Sequence, residues 1–270
     1  GFSLRLLWRA LTSPIDNYTL LVEQLDTEGH VLRSTTVEPV AGQSATGSWQ
    51  ANQFIRDQVD LVVPASAPAG EEGLRVRLSW LRPDGSKLSL RRWYLPVAEG
   101  LTLPGLIVTE KQERVFALPE DVTFRLDTNF DNKVRLIGYN RLLPSQIDAA
   151  SCADQPIDEC RVRLDFYWEG LSEMEQSYTI FFHVVDENGQ IVAQTDHAPG
   201  ARGKHPTTGW LPGEIVVDPI DLPLPADIKP GSYALRVGIY LPPTGPPLPV
   251  LNSSGQPTAD FVDSGQLTVN

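Results

Sequence analysis

Three of the four histidines, His183, His197 and His205, fall in the C-terminal half of the chain, with Asp186, Asp196 and Asp218 close by in sequence. Imidazole and carboxylate together are zinc chemistry, since that ion takes three or four nitrogen, sulfur or carboxylate ligands. The spacing matches no compact zinc motif. The corresponding positions of the N-terminal half hold Glu23 in place of His183 and only loop in place of the other two. A surface or edge role for these histidines is the expectation. Asp127-Thr128-Asn129-Phe130-Asp131-Asn132 sets oxygen ligands at alternate positions, as a calcium loop begins. Asn132 stands where that loop needs its turn glycine, and Gly138 stands where it needs its closing acid, so the stretch reads as a polar connector entering a strand. No metal ligand is assigned.

Paired carboxylates are the next candidates. Asp26 and Asp57 recur as Asp186 and Asp218, and a glycosidase needs two such groups about 5–10 Å apart across a cleft. Asp186 heads a turn, where its carboxylate can accept backbone N–H groups, and that explains its recurrence without catalysis. Asp57 and Asp218 fall within strands and have no comparable explanation from sequence. No G-x-S-x-G elbow, phosphate loop or dinucleotide fingerprint is present. The expectation is a chain with no catalytic residue and no cofactor.

Aromatic side chains are what a sugar-binding face would use, because sugar rings stack on indole and phenol. Trp93, Tyr94 and Trp210 are the candidate ligand-stacking residues, weighed against packing in the core. Trp93-Tyr94 leads, since neighbouring strand residues point to opposite faces and one of the two must look away from the core. Cys152 and Cys160 lie eight positions apart in a polar insertion and are candidates for a local disulfide, which would place the protein outside the reducing cytosol. Two cysteines cannot make a four-ligand zinc site.

The elements that must position these residues come as a repeat. Ser177–Val192, SYTIFFHVVDENGQIV, reads as strand, turn and returning strand, and Asn17–Leu32, NYTLLVEQLDTEGHVL, reads the same way. Tyr18, Thr19, Asp26 and Gly29 fall on Tyr178, Thr179, Asp186 and Gly189, each displaced by 160 positions. Trp8 matches Trp168 at the same displacement and reads as a core anchor between two sheets. Trp49 matches Trp210 at 161, as do Asp57 with Asp218, Gly70 with Gly231 and Val76 with Val237, so a loop between Pro39 and Trp49 absorbs one residue. Pro83-Asp84-Gly85 and Pro243-Thr244-Gly245 read as matching turns with glycine supplying positive φ.

Twenty-three prolines and 21 glycines break the apolar runs into short lengths with no helical period, which predicts an all-β chain. We expect two tandem β-sandwich domains, immunoglobulin-like or jelly-roll-like. Residues 1–110 form the first, 111–130 a linker, and 131–270 the second. Roughly thirty residues precede the Trp168 strand within the second module and only seven precede Trp8, so the first is expected to lack an opening strand. A continuation upstream, or a strand from elsewhere, would cover that edge. The net charge of −12 argues against nucleic acid and anionic membrane surfaces. No run reaches the length of a membrane span.

The ordered stretches LIGY, DFYW, YTIFFHVVDENGQIVAQTDHAP, PTTGWLPGEIVVD, LPLPADIKPGSYALRVGIY and PLPV within 133–270, echoed more weakly in 4–109, carry a resemblance. They resemble the tandem C-terminal β-sandwich region of bacterial mannosyltransferase-type, glycosyltransferase-like envelope membrane proteins. That resemblance implies an extracytoplasmic accessory module at the cell surface or envelope. It carries no catalytic residue here, because the reacting acids of such enzymes belong to a membrane portion this sequence does not contain. The expected job is non-catalytic, structural or interaction-forming, with other envelope proteins or further copies as partners. Membrane attachment would come only through segments outside this chain. Two alternatives are a carbohydrate-binding accessory region of a glycosyltransferase, with glycans as ligands, and a surface fibre built by strand addition.

Overall fold

The computed structural model describes residues 1–270 apart from 93–94, 110–113, 121, 142–145, 154–159 and 201–202. The chain divides into two compact units, Gly1–Gln112 and Glu113–Asn270. It is an all-β protein: among the described residues the only α-helix is the five-residue Ala149–Ala153.

In the first unit the strands are β1 (Phe2–Arg9), β2 (Thr19–Leu25), β3 (Val31–Val37), β4 (Phe54–Leu61), β5 (Gly70–Leu81), β6 (Leu90–Arg92), β7 (Leu95–Ala98), β8 (Leu101–Thr102) and β9 (Leu106–Val108). β1 pairs with β4, and the larger sheet runs β3-β2-β5-β8 with β9 also on β5. The second unit has β10 (Phe124–Phe130), β11 (Val134–Arg141), β12 (Gln146–Ile147), β13 (Arg161–Gly170), β14 (Thr179–Val185), β15 (Ile191–His197), β16 (Ile215–Pro223), β17 (Gly231–Tyr240), β18 (Val250–Leu251), β19 (Pro257–Ala259) and β20 (Val262–Val269). Its sheets run β16-β13-β11-β10-β18-β19 and β12-β20-β17-β14-β15.

Period-two patterning explains the strands. In β4, Ile55, Asp57, Val59 and Leu61 are buried and alternate with exposed Phe54, Arg56, Gln58 and Asp60. The β2–β3 and β14–β15 hairpins close on the same device in both units. Asp26 Oδ1 accepts the N–H groups of Glu28 and His30 at 2.9 and 2.8 Å, and Asp186 Oδ1 accepts those of Asn188 and Gln190 at the same distances. Gly29 and Gly189 follow at φ 92° and 80°, in the left-handed region that a side chain would strain.

Strand registers correspond between the units. Trp8 faces Ile55 as Trp168 faces Val216, and Leu20 faces Val37 as Ile180 faces His197. The expected equivalence of Val76 with Val237 is corrected by these pairings. Gln24 faces Val76 and Val184 faces Leu235, so Val76 corresponds to Leu235. A register shift between Gly70 and Leu74 in β5 is the cause, because a bulge inserts residues without changing the strands on either side. Gly245 also differs from expectation. Gly85 has φ 81°, whereas Gly245 is absent from the positive-φ glycines and is required for space, since a Cβ there would lie 2.5 Å from the Leu241 carbonyl oxygen.

The described part of the expected linker 111–130 is built into the second unit. Phe124–Phe130 is β10, paired with both β11 and β18, and the Ile215 N–H donates to the Val115 carbonyl at 2.7 Å. Arg114 is ion-paired with the buried Glu214. The strand is hard to see in sequence because a bulge between Arg125 and Thr128, with Asp127 at φ 51°, breaks its alternation. Asp131 and Asn132, both at φ 53°, are the central residues of the turn into β11, which the Lys133 N–H closes on the Phe130 carbonyl at 3.0 Å.

The β10–β11 pair gives the second unit a sealed core. Val162, Leu164, Phe166 and Trp168 on β13 are buried, with Leu136 of β11 paired opposite Trp168 and the Phe130 ring 5.9 Å from the Trp168 ring. Their counterparts Phe2, Leu4, Leu6 and Trp8 are only half-buried, and among the described residues β1 pairs with β4 alone.

Candidate functional site

Asp57 and Asp218, which no turn explained, hold the same loop in the two units. Asp57 Oδ1 accepts the N–H of Val40 at 2.9 Å, and Asp218 Oδ1 accepts that of Gly200 at 2.8 Å. Positions 40 and 200 both lie in the left-handed region, at φ 55° and 80°. The loop leaving β3 or β15 must therefore turn back against β4 or β16, and a buried carboxylate takes up the amide that the turn leaves without a ladder partner. These aspartates recur because the fold needs them.

The remaining valences differ. In the first unit Asp57 Oδ2 accepts the Trp8 indole N–H at 3.1 Å. In the second, His197 Nε2 stands 3.0 Å from both oxygens of Asp218, and among the described residues the buried Trp168 Nε1 has no hydrogen-bond partner. The counterpart of His197 is Val37, at the end of a strand and not in a loop as expected. Asp165 lies beside this group, and burial, then the nearby Asp218 charge, push its carboxyl above the ordinary range.

His183 and His197 do not converge on one ion. His183 Nε2 is 3.9 Å from Asp196 Oδ1, whereas His197 is engaged with Asp218. Among the described residues no group of three potential metal ligands comes together. Burial lowers the His183 pKa from its ordinary 6.5, and Asp196 only partly opposes that. At the equivalent position, Glu23 is held below the ordinary carboxylate range by hydrogen bonding to Arg77, against burial, with Lys87 helping at 3.2 Å.

Trp210 is no stacking residue. It has no exposed surface, and its indole N–H donates to the His205 carbonyl at 2.8 Å. The ring faces that sequence left open are consumed by the core, where Trp210 follows a tight turn between the sheets. Trp93 and Tyr94 lie outside the described residues. Cys152 and Cys160 are joined as a disulfide and both are buried.

What sequence reasoning missed is the outer face of the β1–β4 pair. Its exposed residues alternate as Ser3, Arg5, Leu7 and Arg9 opposite Asp60, Gln58, Arg56 and Phe54. The loop through Val40 and Ala41 stands along this face and closes a groove of about 590 Å³, lined by Arg5, Leu7, Gln43, Arg56 and Gln58 as well as the loop. Arg9 is occupied, donating to Asn52 at 2.8 Å and lying 5.5 Å from the Phe54 ring centre. Among the described residues neither Arg5 nor Arg56 has an ion pair or side-chain hydrogen bond. The available signal was the alternation of β4 together with arginines two positions out of step across the pair. It was legible only once the pairing was known.

The second unit builds the same place differently. Asp165 replaces Arg5, Tyr167 replaces Leu7, and Val217 replaces Arg56. Elsewhere on that unit's outer face, Arg135 is neutralised by Asp127 and Glu169 at 3.5 and 3.3 Å.

No protein-family model matches the chain, and no curated protein sequence matches it. Among solved structures it is similar to the C-terminal domain of wzt at 14% identity, over 54% of this chain and 80% of that one, with a TM-score of 0.35. It is also similar to the β-glucuronidase of Ruminococcus gnavus at 12% identity, over 91% of this chain and 33% of that one, with a TM-score of 0.20. Likenesses of this size carry neither a ligand nor an activity to this chain.

Proposed function

We propose that the chain is a non-catalytic binding and interaction module of a bacterial cell-envelope protein, working outside the cytosol. One observation carries the reading. The two copies share the groups that hold the fold, Asp26 with Asp186 and Asp57 with Asp218, yet on the outer face of the first strand pair Arg5, Leu7 and Arg56 give way to Asp165, Tyr167 and Val217. A framework kept in both copies beside a face changed between them is the pattern of recognition, and the groove on that face has the volume of a small-ligand site. The disulfide supports an oxidising compartment. Glycans are the favoured ligands, because the groove alternates polar donors with the apolar Leu7 and Val40.

A glycan array probed with the whole 270-residue protein tests this reading. Retention of one glycan class with its mass unchanged supports it. Release of a cleaved or modified sugar would replace it with an enzyme.

A second reading has its own observation. The edge of β1 that has no strand partner among the described residues, and the half-buried Phe2, Leu4 and Leu6, favour partnership by strand addition. Sedimentation of the whole protein at rising concentration tests it, and a monomer throughout would count against assembly between copies.

A further inference from the structure

We infer that the groove on the outer face of β1–β4 is a site for an acidic saccharide, held through Arg5 and Arg56. This inference rests on the reading of the chain as a binding module and names its ligand class.

The argument starts from charge. The protein carries a formal net charge of −12, and most of its cationic groups for which contacts are given are spent on its own carboxylates. Arg75 is paired with Glu72, Arg77 with Glu23, Arg161 and Arg163 with Asp221, and Arg236 with Asp263. Arg5 and Arg56 are not. Arg5 stands opposite Gln58 and Arg56 opposite Leu7, so they are diagonal neighbours on one face. Diagonal positions of an antiparallel pair have Cα atoms about 7–8 Å apart, and two long side chains there can close on one anionic group or on two successive ones.

Among the described residues neither neighbouring carboxylate is ion-paired with Arg5 or Arg56. Asp60, on the same face, accepts from the Ser3 hydroxyl and from Gln58 Nε2, the latter at 3.0 Å. Asp57 also lines the groove, but its oxygens are taken by the Val40 amide and the Trp8 indole. Two like charges held side by side without a partner cost stability, and the cost falls when an anion joins them. Guanidinium is the group best shaped to take a carboxylate or phosphate through two parallel N–H bonds.

The rest of the lining points to a sugar as the bearer of that charge. Gln43 offers its amide to hydroxyls, Gln58 its carbonyl oxygen, and Leu7 and Val40 offer apolar surface to C–H faces. The overall charge disfavours a dense polyanion such as nucleic acid, which the chain would repel at long range. A glycan with occasional acidic substituents meets less of that repulsion. In the second unit, Asp165 and Val217 in place of the two arginines remove this capacity, so the site belongs to the first unit alone.

The test is calorimetric titration of the whole protein at low and moderate salt. The ligands are an oligosaccharide bearing one uronic acid among neutral sugars, a phosphate-substituted mannan fragment, the same fragment without phosphate, and a single-stranded oligonucleotide. The Arg5→Gln/Arg56→Gln double variant is compared with Arg75→Gln, which alters an arginine away from the groove. Melting curves verify that each is folded. At least one acidic saccharide binds, with affinity falling as salt rises. The double variant weakens it roughly tenfold or more, and the control leaves it unchanged. Unaltered affinity in the double variant, or equal binding of unsubstituted mannan, overturns the acidic-saccharide site and leaves the binding-module reading standing. Oligonucleotide binding as tight as the saccharide's overturns the sugar assignment. Silence across all four ligands overturns the site, and silence across the wider glycan array removes glycan binding with it.

Discussion

Replacing Asp218 by alanine removes a fully buried carboxylate whose two oxygens serve the Gly200 amide at 2.8 Å and His197 Nε2 at 3.0 Å. A hydrogen bond to a charged acceptor is worth about 1.5–3 kcal/mol, and here its loss also strands the Gly200 N–H in a buried position. The contact with His197, whose side chain is 23% exposed, adds about 0.5–1 kcal/mol at most. The expected loss is about 3–4 kcal/mol, a large part of what a domain of this size has. Asp57→Ala at the equivalent position costs less, about 1.5–2.5 kcal/mol, because the half-buried Trp8 indole it abandons can reach water. The assay is urea titration followed by amide hydrogen exchange, which reads each unit separately. Exchange at Gly200 should quicken about a hundredfold in Asp218→Ala, with the first unit unaffected. Asp218→Asn keeps an acceptor for Gly200 and should lose only about 1–2 kcal/mol. An Asp218→Ala protein within about 1 kcal/mol of the parent, or with Gly200 exchange unchanged, refutes the claim that this carboxylate recurs to hold the loop.

Other predictions use the differences between the copies. His183 has its pKa lowered by burial, so the unfolded state takes up the proton first as pH falls. His183 should therefore subtract from the second unit's stability as pH drops below about 6.5, and His183→Gln should remove that contribution to the slope in exchange-monitored melting. Glu23, held low chiefly by Arg77, works in another window: its contribution is present above the ordinary 4.5 and is lost as pH falls below it, so Glu23→Gln should flatten the first unit's loss of stability there. Asp165, raised first by burial, costs stability once ionised, and Asp165→Asn should raise the second unit's melting temperature at pH 7. Leu164→Ala should cost about 3–4 kcal/mol and Leu4→Ala about 1–2 kcal/mol in denaturant titrations, because Leu164 is sealed under β11 and Leu4 is half open. Replacing Cys152 and Cys160 by serine frees a loop closed across a separation of 8 residues, and calorimetry should show a loss of about 2.5 kcal/mol.

Much of this protein was legible as pattern. The displacement of 160 between Tyr18 and Tyr178 announced two copies, and strand alternation with Asp26 and Asp186 at the turns announced the hairpins. The register slip in β5 was not legible, because Val76 and Val237 are the same residue type and a bulge leaves no mark on identity. β10 was misread as linker for a related reason: its bulged, polar stretch has no clean period, and only pairing with β11 and β18 makes it a strand.

The chain's residues by themselves determined the fold class, the duplication and the turns, since these depend on neighbours in sequence and on a period of two. The tertiary structure decided that Asp57 and Asp218 serve a loop, that Trp210 is sealed in, and that Arg5 and Arg56 share one face. Those facts depend on which strand lies beside which, and side chains brought together across dozens of residues leave no local trace of the meeting.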